Sequence, residues 1–92
     1  MSRILITGSS KGLGASLALI FARNKYDVIL HGRDEKSLSN VEAKVLTQNV
    51  DCDVIVGDLV EENTIRKIQT VSEIKGIDVL INNAGIYLNK PF

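Results

Sequence analysis

Apolar positions recur along this chain in two alternating rhythms, one short and continuous, the other stepped at helical spacing. Arg3–Thr7 (RILIT) is a brief apolar run closed by glycine, the pattern of a strand covered on both faces. From Gly12 to Asn24, Leu13, Leu17, Ile20 and Phe21 are expected to share one helical face. Asp27–His31 (DVILH) predicts a second strand. Asp34 then offers an N-cap, and Leu38, Val41 and Val45 mark a second amphipathic helix. Asp53–Val56 (DVIV) predicts a third strand. The stretch Glu61–Lys75 carries Ile65, Ile68, Val71 and Ile74 at three-residue spacing. It has acids at its start and Lys75-Gly76 at its end, which suits a helix dipole and a glycine C-cap. Ile77–Ile81 (IDVLI) predicts a fourth strand, followed by NNAG and an irregular tail ending Lys90-Pro91-Phe92.

The order β-α-β-α-β-α-β places the chain in the α/β class, with a parallel sheet, right-handed crossovers and helices on both faces. No repeat, low-complexity segment or internal linker interrupts it, so residues 1–92 read as one small domain at most. Hydrophobic residues at 45% and charged residues at 24% give the chain enough apolar surface for a core and argue against disorder. Eleven basic residues against eleven acidic ones, with no basic cluster, argue against a nucleic-acid partner. No apolar run approaches the length of a membrane span, and MSRILIT lacks the layout of a signal peptide. The lone cysteine, Cys52, cannot form an internal disulfide and reads as a small core residue. A cytoplasmic location is the expectation.

The chemistry sits in the loop between the first strand and the first helix, Thr7-Gly8-Ser9-Ser10-Lys11-Gly12-Leu13-Gly14. Gly8 allows the chain to leave the strand by a conformation that a side chain disfavours. Gly12 and Gly14 allow a close approach of backbone to ligand and of helix to sheet. Free N–H groups at the helix start, with the positive end of its dipole, suit a pyrophosphate. The same glycines also suit a tight turn with no ligand, and only their place between strand and helix favours the cradle. The spacing is neither GxGxxG nor a P-loop.

TGxxxGxG at this place, NNAG at 82–85 after the fourth strand, and Gly57-Asp58-Leu59 after the third strand together resemble the short-chain dehydrogenases/reductases. The resemblance spans the whole chain but only the N-terminal, cofactor-binding part of that family's domain, as though truncated after strand four. It implies a Rossmann-like sheet in the order 3-2-1-4 and an oxidoreductase that transfers hydride between a nicotinamide dinucleotide and a small carbonyl or alcohol. The parent protein would then be a homo-oligomer. Carried over, Gly8, Ser9, Ser10, Lys11, Gly12, Leu13 and Gly14 would wrap the pyrophosphate and adenosine ribose. Asp58 would accept from the adenine amino group while Leu59 packs on the ring. Asn83, Ala84 and Gly85 would line the ribose, and Asn82 would tie neighbouring strands.

Cofactor choice is set at the end of the second strand. A carboxylate there binds the 2′-hydroxyl of NAD, but His31-Gly32-Arg33 places glycine at that position. Arg33 and Lys11 can instead close on a 2′-phosphate; either alone reads as a solvated cation, but together with the missing acid they favour NADP. His31 could touch the adenosine but reads first as a plain strand-end histidine. No catalytic residue is assigned. The family's Tyr-x-x-x-Lys is missing, since Tyr26 is followed at that spacing by Leu30, and Tyr87 and Lys90 lie three apart beside Pro91. A nucleotide-binding module without catalysis, acting through a partner, is the alternative to an oxidoreductase. An open reading frame continuing past Phe92 with Tyr-x-x-x-Lys would favour the enzyme.

Overall fold

The computed structural model describes residues 2–83. Seven elements follow one another: β1 (Arg3–Ile6), α1 (Gly12–Arg23), β2 (Asp27–Gly32), α2 (Glu35–Leu46), β3 (Cys52–Val56), α3 (Glu62–Lys75) and β4 (Val79–Ile81). The strands form one parallel sheet in the order β3-β2-β1-β4, the order that the resemblance implies. Ile4 lies beside Val28 on one side and Val79 on the other, and Leu30 beside Val54. Successive side chains of a strand point to opposite faces, and this divides the core in two. Ile4, Ile6, Val28 and Leu30 face α1 and α2. Leu5, Ile29 and Ile55 face α3 through Ile68 and Val71. All six residues of β2 are buried, as a central strand of a covered parallel sheet requires.

The faces of two helices differ from the sequence expectation. In α1 the residues against the sheet are Gly14, Ala18 and Ala22, spaced four apart. Leu13 and Ile20 are 60% and 48% exposed, while Leu17 and Phe21 are half-buried at the margin of the core. Small residues at that spacing let the helix axis come close to the sheet, and the larger residues are displaced to its flanks. In α3, Ile68 and Val71 pack inward, but Ile65 and Ile74 are exposed. Each three-residue step falls about 60° short of a full turn, so Ile65 and Ile74 end up about half a turn apart.

Elsewhere the local rules hold. Asp34 caps α2, accepting from the Lys36 N–H at 3.1 Å and the Ser37 hydroxyl at 2.6 Å. Leu38, Val41 and Val45 are buried. Gly76 closes α3 with φ of 80°. The fourth strand is shorter than predicted, because Ile77 turns toward the α3 cluster. Asp78 meanwhile ties to Arg3, its carboxylate accepting from the Arg3 N–H at 2.8 Å. Cys52 is half-buried against the core, and burial pushes its thiol up to about 12. That supports the packing role over a reactive one. Among the described residues no helix is long and apolar enough to cross a membrane.

Candidate functional site

In an open parallel sheet, ligands bind beyond the carboxyl ends of the strands, where the chain switches direction across the sheet. Here that point lies between β1 and β4. The loops leaving those two strands meet there. Thr7 donates its hydroxyl to Asn82 Oδ1 at 3.1 Å, so Asn82 ties the strands as expected. Asn83, buried to 7% exposure, donates from Nδ2 to the Gly8 carbonyl at 3.0 Å.

The glycine loop is built around that carbonyl. Gly8 has φ of 64°, a left-handed conformation that turns its carbonyl toward the first turn of α1. A Cβ added to Gly14 would stand 2.2 Å from Gly8 O and 2.9 Å from Asn83 Nδ2. Gly14 is thus required by contact within the protein itself. The N-terminus of α1 opens immediately beside it. No side chain caps this end and its first turn carries no acid, whereas α2 is closed by Asp34. The free N–H groups of α1 therefore face outward with the dipole's positive end unopposed.

The two serines divide between fold and surface. Ser9 is fully buried, its N–H donating to the His31 carbonyl at 2.7 Å and its hydroxyl to the Ile6 carbonyl at 2.9 Å. The same hydroxyl accepts from the His31 N–H at 2.9 Å. Both polar groups of Ser9 are therefore engaged in holding the loop. Ser10 lies over Gly32, where an added Cβ would come within 3.0 Å of its Cβ. Lys11, Gly12 and Leu13 are exposed at the mouth of the loop.

On the other side stand Arg33 and the β3–α3 turn. Arg33 Nη1 lies 3.8 Å from Asp58 Oδ2, both well exposed. Asp58 Oδ1 accepts from the Val60 N–H at 3.2 Å, and the Asp58 N–H donates to Glu61 at 3.1 Å. Leu59 is half-buried next to them. The Ser37 hydroxyl, and more weakly the charge of Lys11, hold the Asp34 carboxyl below its ordinary range. Lys11 thus belongs to the same neighbourhood as the start of α2. Lys11 and Arg33 bring positive charge to this edge, where Asp58 stands beside Arg33 and Asp34 is taken up in its cap.

Of the residues singled out from sequence, Gly8 through Gly14, Arg33, Asp58, Leu59 and Asn83 all gather at this edge. Ala84 and Gly85, with Tyr87 and Lys90, lie outside the described residues. Sequence reasoning undervalued His31. Its ring is 2% exposed, accepts from the Gly8 N–H at Nδ1 (3.1 Å) and bonds through Nε2 to the Gly57 carbonyl at 2.9 Å. It bridges the glycine loop and the β3–α3 turn. The available signal was a histidine in a strand too apolar to leave a polar ring unsatisfied. Among the described residues no cluster of His, Cys, Asp or Glu could hold a metal.

Comparison with known proteins bears on the family and the fold. The family model described as short chain dehydrogenase matches residues 2–92. The gluconate 5-dehydrogenase of Gluconobacter oxydans is 34% identical over 98% of this chain and 36% of its own length. A short-chain dehydrogenase from Sphingobium yanoikuyae, solved in complex with NADPH, superposes with a TM-score of 0.83 at 33% identity. The match covers 92% of this chain and 34% of that one. An NAD+-bound xylitol dehydrogenase gives 0.79 at 27% identity, over 86% of this chain and 31% of that one. The chain spans about a third of the length of the curated relatives it matches.

Proposed function

The chain belongs to the short-chain dehydrogenase family, and from that premise we propose that it is the dinucleotide-binding portion of an NADP-preferring oxidoreductase acting on a small carbonyl or alcohol. The observation that carries the reading is the uncapped start of α1 beside the Gly8–Gly14 contact. Backbone N–H groups there would hold the pyrophosphate, aimed by the close contact of α1 with Gly8 that glycine at 14 permits. Lys11 and Arg33 would hold the 2′-phosphate by charge-assisted hydrogen bonds, Arg33 exchanging its exposed contact with Asp58 for a stronger one. The Asp58 carboxylate would then face the adenine amino group, with Leu59 against the ring. Asn83 would shape the ribose pocket through its hold on Gly8, and Ala84 and Gly85 would continue it. Ser9 acts from beneath, fixing the loop, while Ser10 lies against the adenosine side.

A bound nicotinamide would supply the hydride chemistry. This chain's own residues would supply position and charge. Proton transfer to or from substrate needs a donor within hydrogen-bond reach. Tyr26 does not offer one, because it stands just before β2, at the amino end of the strands and opposite the glycine loop. Support for NADP rests on Gly32, Arg33 and Lys11 alone, since the family's solved structures include both NADPH-bound and NAD+-bound members. The test is direct calorimetry of NADPH and NADH against the chain. Tenfold tighter NADPH is the expected result, and equal affinities would remove the preference.

A further inference from the structure

One buried titratable group stands apart from the residues that would touch the dinucleotide: the imidazole of His31, the single histidine of the chain. It lies on the α3 side of β2, two residues beyond Ile29. Its two nitrogens meet partners of fixed character. The Gly8 amide only donates and the Gly57 carbonyl only accepts. Nδ1 must therefore present a lone pair and Nε2 a proton. Both contacts demand the same neutral tautomer. The ring joins the two loops that would lie on either side of the adenosine, and Gly57 N–H closes the bridge by donating to the Gly32 carbonyl at 2.9 Å.

We propose that His31 is a positioning residue for the dinucleotide: its neutral ring pins the glycine loop to the β3–α3 turn, and protonation at Nδ1 releases Gly8 and weakens nucleotide binding. The proposal rests on the dinucleotide reading. A proton taken from solvent onto Nδ1 would set two N–H donors against each other at the Gly8 contact. The hydrogen bond that aims the loop would then be lost.

The charged groups around the ring do not reverse this. Asp58 and Glu61 lie on the β3–α3 turn, Arg33 pairs with Asp58, Lys67 of α3 reaches the Val56 carbonyl, and Lys11 stands at the far end of the glycine loop. Burial pulls the ring below its ordinary value of 6.5, and the Gly57 carbonyl and the Asp58 charge offset only part of that effect. Because the fold favours the neutral ring, the unfolded chain takes up a proton first as the pH falls. The His31 contribution is therefore complete above 6.5 and is lost as the pH drops through the lower, folded value.

The test uses the chain labelled with 15N, whose lone histidine gives an unambiguous ring signal. Long-range 1H–15N correlation should show the Nε2–H tautomer at neutral pH and a titration midpoint below 6.5. Saturating ADP-ribose should move that midpoint lower still. ADP-ribose is the probe because it lacks the 2′-phosphate, whose own second ionisation near pH 6 would confuse the profile. Its affinity should fall by about threefold or more from neutral to acid pH, short of the limiting tenfold per unit. In His31→Gln, which keeps a donor and an acceptor but does not titrate, the ratio should collapse toward one. An Nδ1–H tautomer, a midpoint unmoved by ligand, or an unchanged pH profile in His31→Gln would overturn the pin. Failure to bind ADP-ribose at any pH would instead overturn the dinucleotide reading, and the coupling with it.

Discussion

Replacing Gly14 by Ala separates two physical effects of opposite sign. Gly14 lies in the first turn of α1, where alanine is intrinsically the better helix former by roughly 1 kcal/mol. If helix propensity alone mattered, the variant would be more stable than the parent. The structure predicts otherwise, because the added Cβ would stand 2.2 Å from the Gly8 carbonyl oxygen, about 1 Å inside the ordinary ~3.3 Å approach of carbon to oxygen. Nor can Gly8 move freely, since its carbonyl also accepts from Asn83 and its N–H donates to His31. Overpacking against fixed backbone costs about 3 kcal/mol at the upper end of its usual range. After the propensity gain, a net loss of about 2 kcal/mol is expected. In urea this appears as a midpoint lowered by about 1 M or more. NADPH affinity should fall more than tenfold, since the loop shifts by about the size of the overlap. Gly12 provides the control: a Cβ there meets nothing within 4 Å, and only its φ of 61° opposes substitution. Gly12→Ala should thus cost about 1–2 kcal/mol of backbone strain without displacing Gly8. A Gly14→Ala protein that gained stability and bound NADPH as the parent does would refute the close-approach argument.

Two further outcomes follow from the site. Arg33→Ala should abolish most of the preference for NADPH over NADH, expected to be at least about tenfold or 1.4 kcal/mol. It should leave stability within about 0.5 kcal/mol, because the Arg33–Asp58 pair is exposed; a preference intact in the variant would clear Arg33 of the role. The 92-residue chain assayed with NADPH and a panel of reactive carbonyls should show no turnover, because its sequence holds no Tyr-x-x-x-Lys pair to supply the proton. Saturable loss of reduced-nicotinamide absorbance that vanishes in Tyr87→Phe would contradict that.

The alternation of short apolar runs with stepped ones was sufficient to read the sheet, because β1 and β2 are buried almost throughout and β3 is half-buried beside them. The same reasoning misplaced the inner face of α1, since the alanines at 18 and 22 look less apolar than the leucines beside them. Contact with the sheet is decided there by how near the backbones can come, which a hydrophobicity ranking does not capture. For α3, a spacing of three was read as a face, although it winds slowly around the helix. Glycine spacing marks the proposed cradle in the sequence, because the left-handed φ of Gly8 favours glycine and the close contact at Gly14 excludes a Cβ. The roles of Ser9, Asn83 and His31 were harder to see. Their partners are backbone groups of other loops, and a backbone N–H or carbonyl leaves no trace in residue type. Asn83 looked like a ribose contact and is first a strut under Gly8. His31 looked incidental and joins two loops.

The most direct test of the central claim is a 1H–15N chemical-shift titration of the chain with NADPH. Binding at the proposed place requires the largest shifts at the amides of Gly8 to Gly14, at Arg33 and at Gly57 to Leu59, with the His31 ring signal moving in step. Saturation at micromolar NADPH is expected, with smaller shifts along α2 and almost none at Arg3, Asp51 and Lys75 at the opposite end of the sheet. Shifts confined to that opposite end, or an unchanged glycine loop at millimolar NADPH, would contradict the claim that this chain holds a dinucleotide.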